Sequence, residues 1–208
     1  MEPEFSAAST AVLTIDLHRG HLDQSCATMP LPSRTAESVL RANLRLLPRA
    51  RAAGLPVVHV VTGYRGQSEI ISNPFWRSVA DTDSTRSNVR RHNLADGPGT
   101  ELMPGVAEPG DIIVTTKKRY DCFLGTDLEF VLRTLRVDTL LIGGVNTNSC
   151  VLATTIAASV RDYACLVVEE CVNTMDGESF HLAALRCIER AFGWVINLDH
   201  TLARLAAA

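Results

Sequence analysis

Apolar and polar residues fall in blocks along the chain, and the blocks follow two different periods. Short, nearly continuous apolar runs predict six strands buried on both faces: Ala11 to Ile15, Leu55 to Val61, Asp111 to Thr116, Thr139 to Ile142, Leu166 to Glu169 and Trp194 to Asn197. Between them lie stretches with helical spacing. Ser33 to Ala53 puts Val39, Leu40, Leu44, Leu47 and Ala50 on one face, with Ser33 as N-cap and Gly54 and Pro56 as the stop. Asp127 to Arg136, Ser149 to Tyr163 and Glu178 to Phe192 predict three more helices, and the tail from Asp199 a short one. Strands alternating with helices predict an α/β fold: a parallel sheet covered on both faces, with right-handed crossovers. In such sheets ligands bind at the carboxyl ends of the strands. That rule singles out Asp16, the pair Lys117 and Lys118, and the segment from Asn146 to Cys150.

One stretch breaks the pattern. From Thr62 to Gly110 there is little periodicity, and the residues include Tyr64, Phe75, Trp76 and several Arg, Gly and Pro. A long irregular insertion in a compact domain is usually functional, so residues 63–110 are read as a lid or a subunit contact within a single domain spanning 1–208.

Composition narrows the class. The chain has 208 residues, 46% hydrophobic and 21% charged, with a formal net charge of -3. This fits one closed core and excludes general disorder. The slightly acidic balance argues against nucleic acid or an anionic membrane as partner. No apolar run approaches a membrane span. Glu2 and Glu4, with no basic leader, argue against a secretory signal. The six cysteines, Cys26, Cys122, Cys150, Cys165, Cys171 and Cys187, form no C-x-x-C pair, which fits a reduced, cytoplasmic protein.

Three residues carry candidate chemistry. Cys150 follows Gly143-Gly144-Val145-Asn146-Thr147-Asn148-Ser149, a strand-to-helix turn that places it in the first turn of a helix. Unpaired N–H groups and the dipole there favour a thiolate and can hold an oxyanion. The alternative is a buried cysteine beside an N-cap. Asp16 closes an apolar strand as a turn residue or as the partner of a cation or thiol. Lys117 closes another strand, where it can snorkel to water or pair with a buried carboxylate; spacing alone leaves Lys118 equally placed. Together the three can form base, electrostatic support and nucleophile.

These residues resemble the isochorismatase-like cysteine hydrolases, which include nicotinamidases and N-carbamoylsarcosine, maleamate, ureidoacrylate and biuret hydrolases. Ala11 to Asp16 with His18 and Arg19 resembles the family's opening strand and catalytic Asp. Lys117-Lys118-Arg119-Tyr120-Asp121-Cys122-Phe123 resembles its lysine motif, a register that selects Lys117, and Gly125-Thr126-Asp127-Leu128 fits the segment that follows. Gly144-Val145-Asn146-Thr147-Asn148-Ser149-Cys150-Val151 resembles the nucleophile motif.

The resemblance implies a three-layer, Rossmann-like fold with a six-stranded parallel sheet in the order 3-2-1-4-5-6. It also implies a cis peptide before Asn146, an oxyanion hole from the N–H groups of Asn146 and Cys150, and a homodimer or homotetramer. Cys150 argues against the vinyl-ether-cleaving branch, which lacks the nucleophile. Nicotinamidases carry a metal-binding Asp and His set after the second strand. Here that region reads His59-Val60-Val61-Thr62-Gly63-Tyr64, so no metal and no cofactor are expected, and His59 reads as a core histidine. His18 and His21 leave a metal-dependent amidase open as another reading. His21, Tyr120, Asp121, Phe123 and Asn146 are the expected substrate-binding residues, with Arg65, Arg77 and Arg119 as candidates for a substrate carboxylate. The expected activity is metal-independent hydrolysis of a small amide or ureide, biuret or N-carbamoyl type favoured, through a thioester. The alternatives are a maleamate- or nicotinamide-type amidase, or a non-catalytic member that binds a partner through its central insertion.

Overall fold

A computed structural model describes residues 6–207 of the chain; Glu2 and Glu4 lie outside the described residues. Six strands form one parallel sheet: β1 (Thr10–Ile15), β2 (Val57–Thr62), β3 (Ile112–Lys117), β4 (Thr139–Val145), β5 (Ala164–Asn173) and β6 (Trp194–Ile196). Their order is β3-β2-β1-β4-β5-β6, so the chain runs outward from β1 in one direction, then returns and runs outward in the other. The reversal lies between β1 and β4, where a crevice opens at the carboxyl ends of the strands.

The period-2 alternation of the strands builds two cores. Val12, Leu141, Leu166 and Val168 face one side, under α2 (Ser33–Ala52) and α8 (Leu198–Ala207). Ala11, Leu13, Ile15, Leu140, Ile142 and Val167 face the other, under α5 (Leu128–Thr134), α6 (Leu152–Ser159) and α7 (Glu178–Ala191). Near-continuous burial of β1, β2 and β4 follows from this double cover. β3, at the edge, buries only Val114 and Lys117, and it is this edge position that gives it a mixed surface.

Local details differ from the sequence expectations. Pro32, not Ser33, occupies the N-cap of α2, and its buried face centres on Val39, Asn43, Leu46, Leu47 and Ala50, leaving Leu40 and Leu44 only partly covered. The helix predicted from Ser149 begins instead as a π-helical turn, Thr147–Val151, before α6 starts at Leu152. Residues 63–110 are not wholly irregular: they hold α3 (Gln67–Ile71) and α4 (Pro74–Val79) besides two 3-10 turns. A third small apolar cluster of Met29, Tyr64, Ile70, Trp76, Ala80 and Val89 holds this stretch down. α1 (Arg19–Leu22) lies just past β1. No described helix is long and apolar enough to cross a membrane.

Two backbone features shape the crevice. Asp16 has φ 55°, a left-handed conformation that Asp tolerates better than most residues, and it turns the chain sharply out of β1. Gly144, with φ 118°, packs on the backbone of its register partner Ile15, and a Cβ there would collide with the Ile15 carbonyl. Gly144→Ala is therefore expected to cost about 3 kcal/mol or more, or to prevent folding. Gly125→Ala, at φ 68° with open space around it, should cost about 1–2 kcal/mol. Urea denaturation compares them, and equal midpoints would contradict the close approach.

Candidate active site

Four neighbouring strands, in the sheet order β3-β2-β1-β4, deliver one polar group each to the crevice. Lys117 ends β3, Thr62 ends β2, Asp16 follows β1, and Cys150 sits in the π turn after β4. Thr62 and Lys117 are register partners, and the lysine side chain reaches past Thr62 toward β1. Its ammonium donates to Asp16 Oδ2 (2.6 Å), Thr62 Oγ1 (2.6 Å) and Cys150 Sγ (3.2 Å). An ammonium has three donors, and these contacts occupy them all. Thr62 donates both its N–H and its hydroxyl to Asp16 Oδ1, each at 2.8 Å. Lys117 is 1% exposed and Asp16 fully buried. Lys118 points elsewhere, its ammonium on the Gly63 carbonyl and near the Tyr64 ring.

Charge states follow from these contacts. Burial alone would raise the Asp16 carboxyl, but the Lys117 charge and the His18 contact hold it well below the usual carboxylate range. Burial would likewise lower Lys117, yet Asp16 and Cys150 hold it well above the ordinary lysine value. A depressed acid contributes stability above its unfolded pKa and loses it as pH falls; a raised base contributes below its unfolded pKa and loses it as pH rises. The pair is thus charged between about pH 4 and about pH 10. Cys150 departs from the expected thiolate. Burial pushes its thiol up to about 11, with Lys117 pulling partly back and the Asp16 charge and hydrogen bond adding to the rise. These directions favour a thiol beside a carboxylate and an ammonium.

The pocket over this cluster is walled in part by residues 63–110. Tyr64, Trp76, Arg86, Val89 and His92 line it from that segment, and His21, Met29, Arg119, Tyr120, Asn146, Ser149 and Met175 complete it. Tyr120 Oη accepts from Trp76 Nε1 (3.1 Å) and Arg86 Nε (3.0 Å), leaving its own O–H to donate. Arg86 also forms a two-pronged pair with Asp176, 2.8 Å at each oxygen, and Asn148 donates to the same carboxylate. Arg119 lies 4.8 Å over Trp76 and donates to the carbonyls of Glu69 and Lys118.

Not every expected binding residue reaches the pocket. Asp121 turns away and caps the Phe123 N–H at 2.8 Å. Phe123 is buried in the core against Tyr163, with Arg161 over its ring. Their neighbour Cys122 is fully buried, because Thr154 pins this loop to α6 by bonding the Cys122 N–H and the Tyr120 carbonyl. Asn146 lines the pocket, and its side-chain oxygen accepts from the Met175 N–H. The Val145–Asn146 peptide is cis. Arg65 is paired with Glu69 on the surface, and Arg77 is tied to the Ile71 carbonyl. His59 is a core histidine between Thr14 and Asp111. Thr62, Arg86, Trp76 and His92 are site residues that the sequence did not single out for chemistry. Thr62 alone had a legible cue, its place at a strand end.

Comparison with known proteins agrees with this architecture. The Isochorismatase domain model matches residues 10–200. A ureidoacrylate amidohydrolase RutB from Methylobacterium radiotolerans is 31% identical, covering 92% of this chain and 77% of that protein. A protein of the same name from Stutzerimonas stutzeri is 28% identical over 97% of this chain and 85% of its own length. Among solved structures, a cysteine hydrolase from Pseudomonas syringae pv. phaseolicola superposes with TM-score 0.84 at 22% identity, covering 98% and 95% of the two chains. An N-carbamoylsarcosine amidase from Thermoplasma acidophilum gives 0.71 at 23%, covering 92% and 97%. The match over nearly its whole length, in a chain with this sheet order, makes it a member of the isochorismatase family.

Proposed function

We propose that this chain is a cysteine amidohydrolase that cleaves the C–N bond of a small ureide of the N-carbamoyl type. The observation that carries the reading is the buried Lys117 ammonium, shared at once by Asp16, Thr62 and Cys150. A nucleophile, a proton acceptor and a fixed cation meet there in a closed pocket.

In this reading the Cys150 thiol gives its proton to Asp16 as sulfur attacks the substrate carbonyl. Asp16, ionised at rest, is able to accept it. Lys117 steadies the negative charge as it moves from carboxylate to sulfur. The N–H groups of Asn146 and Cys150 hold the oxyanion, and Asp16 then protonates the departing nitrogen. This frees ammonia and leaves a thioester, a thiocarbamate where the substrate is a ureide. Water adds to it, Asp16 takes up the water proton, and the thiol is regenerated. Nucleophile, proton acceptor and cation are all side chains, so no step is assigned to a metal.

Three features favour an N-carbamoyl compound with a carboxylate over biuret. The similar proteins are named for ureidoacrylate, whose far end is a carboxylate. Arg119 lines the pocket with its charge unmatched by any ion pair among the described residues, its terminal nitrogens donating only to the neutral oxygens of Glu69, Lys118 and Ser72, whereas Arg86 is neutralised by Asp176. Trp76 and Tyr64 offer flat walls to a planar conjugated group.

The test is ammonia release from ureidoacrylate, N-carbamoyl amino acids, biuret, maleamate and nicotinamide. Cys150→Ala is expected to abolish turnover, and turnover surviving that change would end the nucleophile assignment. Lys117→Ala should lose roughly 100-fold or more in kcat and Lys118→Ala little; the reverse order would show the wrong lysine. Thr62→Val, which keeps shape but removes the shared hydroxyl, should fall between them. Arg119→Gln should raise KM for carboxylate-bearing substrates and leave biuret unchanged. A second measurement follows from the raised Cys150 thiol. Iodoacetamide labelling at this residue, read by mass spectrometry, should climb roughly tenfold per pH unit from about pH 7 to 10. A rate already flat at pH 7 would mean a resting thiolate.

A further inference from the structure

Beside the catalytic cluster lie three imidazoles that the proposed reaction does not use as acid or base. His18 caps the start of α1, His21 lies within it, and His92 arrives from residues 63–110. All three are buried, at 0%, 3% and 3% exposure. The rings of His18 and His21 are stacked at 4.9 Å, and the His92 ring lies 4.6 Å from His21 and 5.7 Å from His18. One nitrogen from each can be chosen so that all lie within 4.8 Å of one another.

The hydrogen bonds on their outer sides orient this set. His21 Nδ1 lies 2.7 Å from the Met29 carbonyl. A carbonyl only accepts, so His21 carries its proton on Nδ1 and presents a bare Nε2 lone pair. His92 Nδ1 lies 3.0 Å from Thr28 Oγ1, a hydroxyl able to accept its N–H and leave Nε2 bare in the same way. An outer N–H tied to a carbonyl or hydroxyl is the arrangement that fixes tautomer and ring direction in metal-ligating histidines. Both rings line the pocket. His18 Nε2 is held by the Asn93 side-chain amide at 2.8 Å and lies 3.4 Å from Asp16 Oδ1.

We infer that His18, His21 and His92 form a binding site for a divalent transition-metal ion of the zinc class, with its open position toward the pocket. Three imidazoles and no thiolate suit zinc, iron, nickel or copper better than calcium or magnesium. Zinc–nitrogen bonds of about 2.0–2.1 Å place tetrahedral ligands roughly 3.3 Å apart, so nitrogens that start within 4.8 Å would close by up to about 1.5 Å. His18 would exchange its Asn93 contact for the ion or turn its other nitrogen inward. This set is distinct from an Asp and His pair after the second strand, where this chain has Thr62, Gly63 and Tyr64. The expectation of no metal rests on the absent Asp and His pair after the second strand, with His18 and His21 left as another reading; the third ligand is 71 positions beyond His21 and becomes a neighbour only in the fold.

The inference is tested by titrating Co(II) into the metal-stripped, full-length Cys150→Ser chain, which removes the pocket thiol as a competing ligand. The expected result is about one ion per chain, with visible d–d bands of low-symmetry nitrogen and oxygen ligation and no thiolate charge-transfer band. His92→Asn should weaken binding at least ~10-fold, and Thr28→Val, which removes only the outer hydrogen bond, about 10-fold, with circular dichroism unchanged. Absorbance no stronger than that of aqueous Co(II), a thiolate band, or affinity indifferent to both substitutions in folded protein would overturn the site. The readout does not depend on turnover, so loss of the metal site and loss of the amidase reading are separable results.

Discussion

A lysine ammonium kept from water has to be met by the protein on every side, and the arrangement around Lys117 reads as the solution to that constraint. Moving an ammonium and a carboxylate out of water costs several kcal/mol each, and their attraction offsets this only when the remaining donors and acceptors are also satisfied. Asp16 supplies the opposite charge, Thr62 bonds both partners, and the sulfur of Cys150 takes the last N–H. The geometry that removes the electrostatic cost is the same geometry that sets a thiol beside the ion pair from which the proposed reaction draws its proton acceptor. Truncating Lys117 would leave Asp16 buried and unpaired, so its loss is a matter of charge balance as much as of catalysis.

The surroundings keep this charge cluster dry. Residues 63–110 add no strand to the sheet, yet their small apolar cluster sets Tyr64, Trp76 and Val89 over the pocket. Arg86 anchors them, reaching to Asp176 beyond β5 and to Tyr120 beyond β3. The exclusion of water strengthens every interaction beneath.

Much of this was legible in the sequence, and the reason is positional. A parallel sheet aims the ends of its strands at one crevice, so Asp16, Lys117 and Cys150 stand out from a strand count, while only the motif register separated Lys117 from Lys118. What depends on a single hydrogen bond was not legible. Asp121 looked like a polar pocket residue until its carboxylate was seen to cap the Phe123 N–H, and Phe123 like a pocket wall until its ring was found in the core. A helix start alone favours a thiolate, whereas burial of Cys150 pushes its thiol up and outweighs the pull of the neighbouring cation. Arg86 and His92 escaped notice because they lie in the stretch without periodicity, where sequence says little about what a side chain will face.

The division of labour between sheet and overlying segment carries an evolutionary consequence. The reacting groups stand on strand ends whose positions are set by register, whereas much of the wall that meets the substrate hangs on a stretch of chain fastened by a few side-chain bonds. Changing the side chains of that stretch that face the pocket alters which molecules are admitted, while Asp16, Lys117 and Cys150 keep the positions their strands give them.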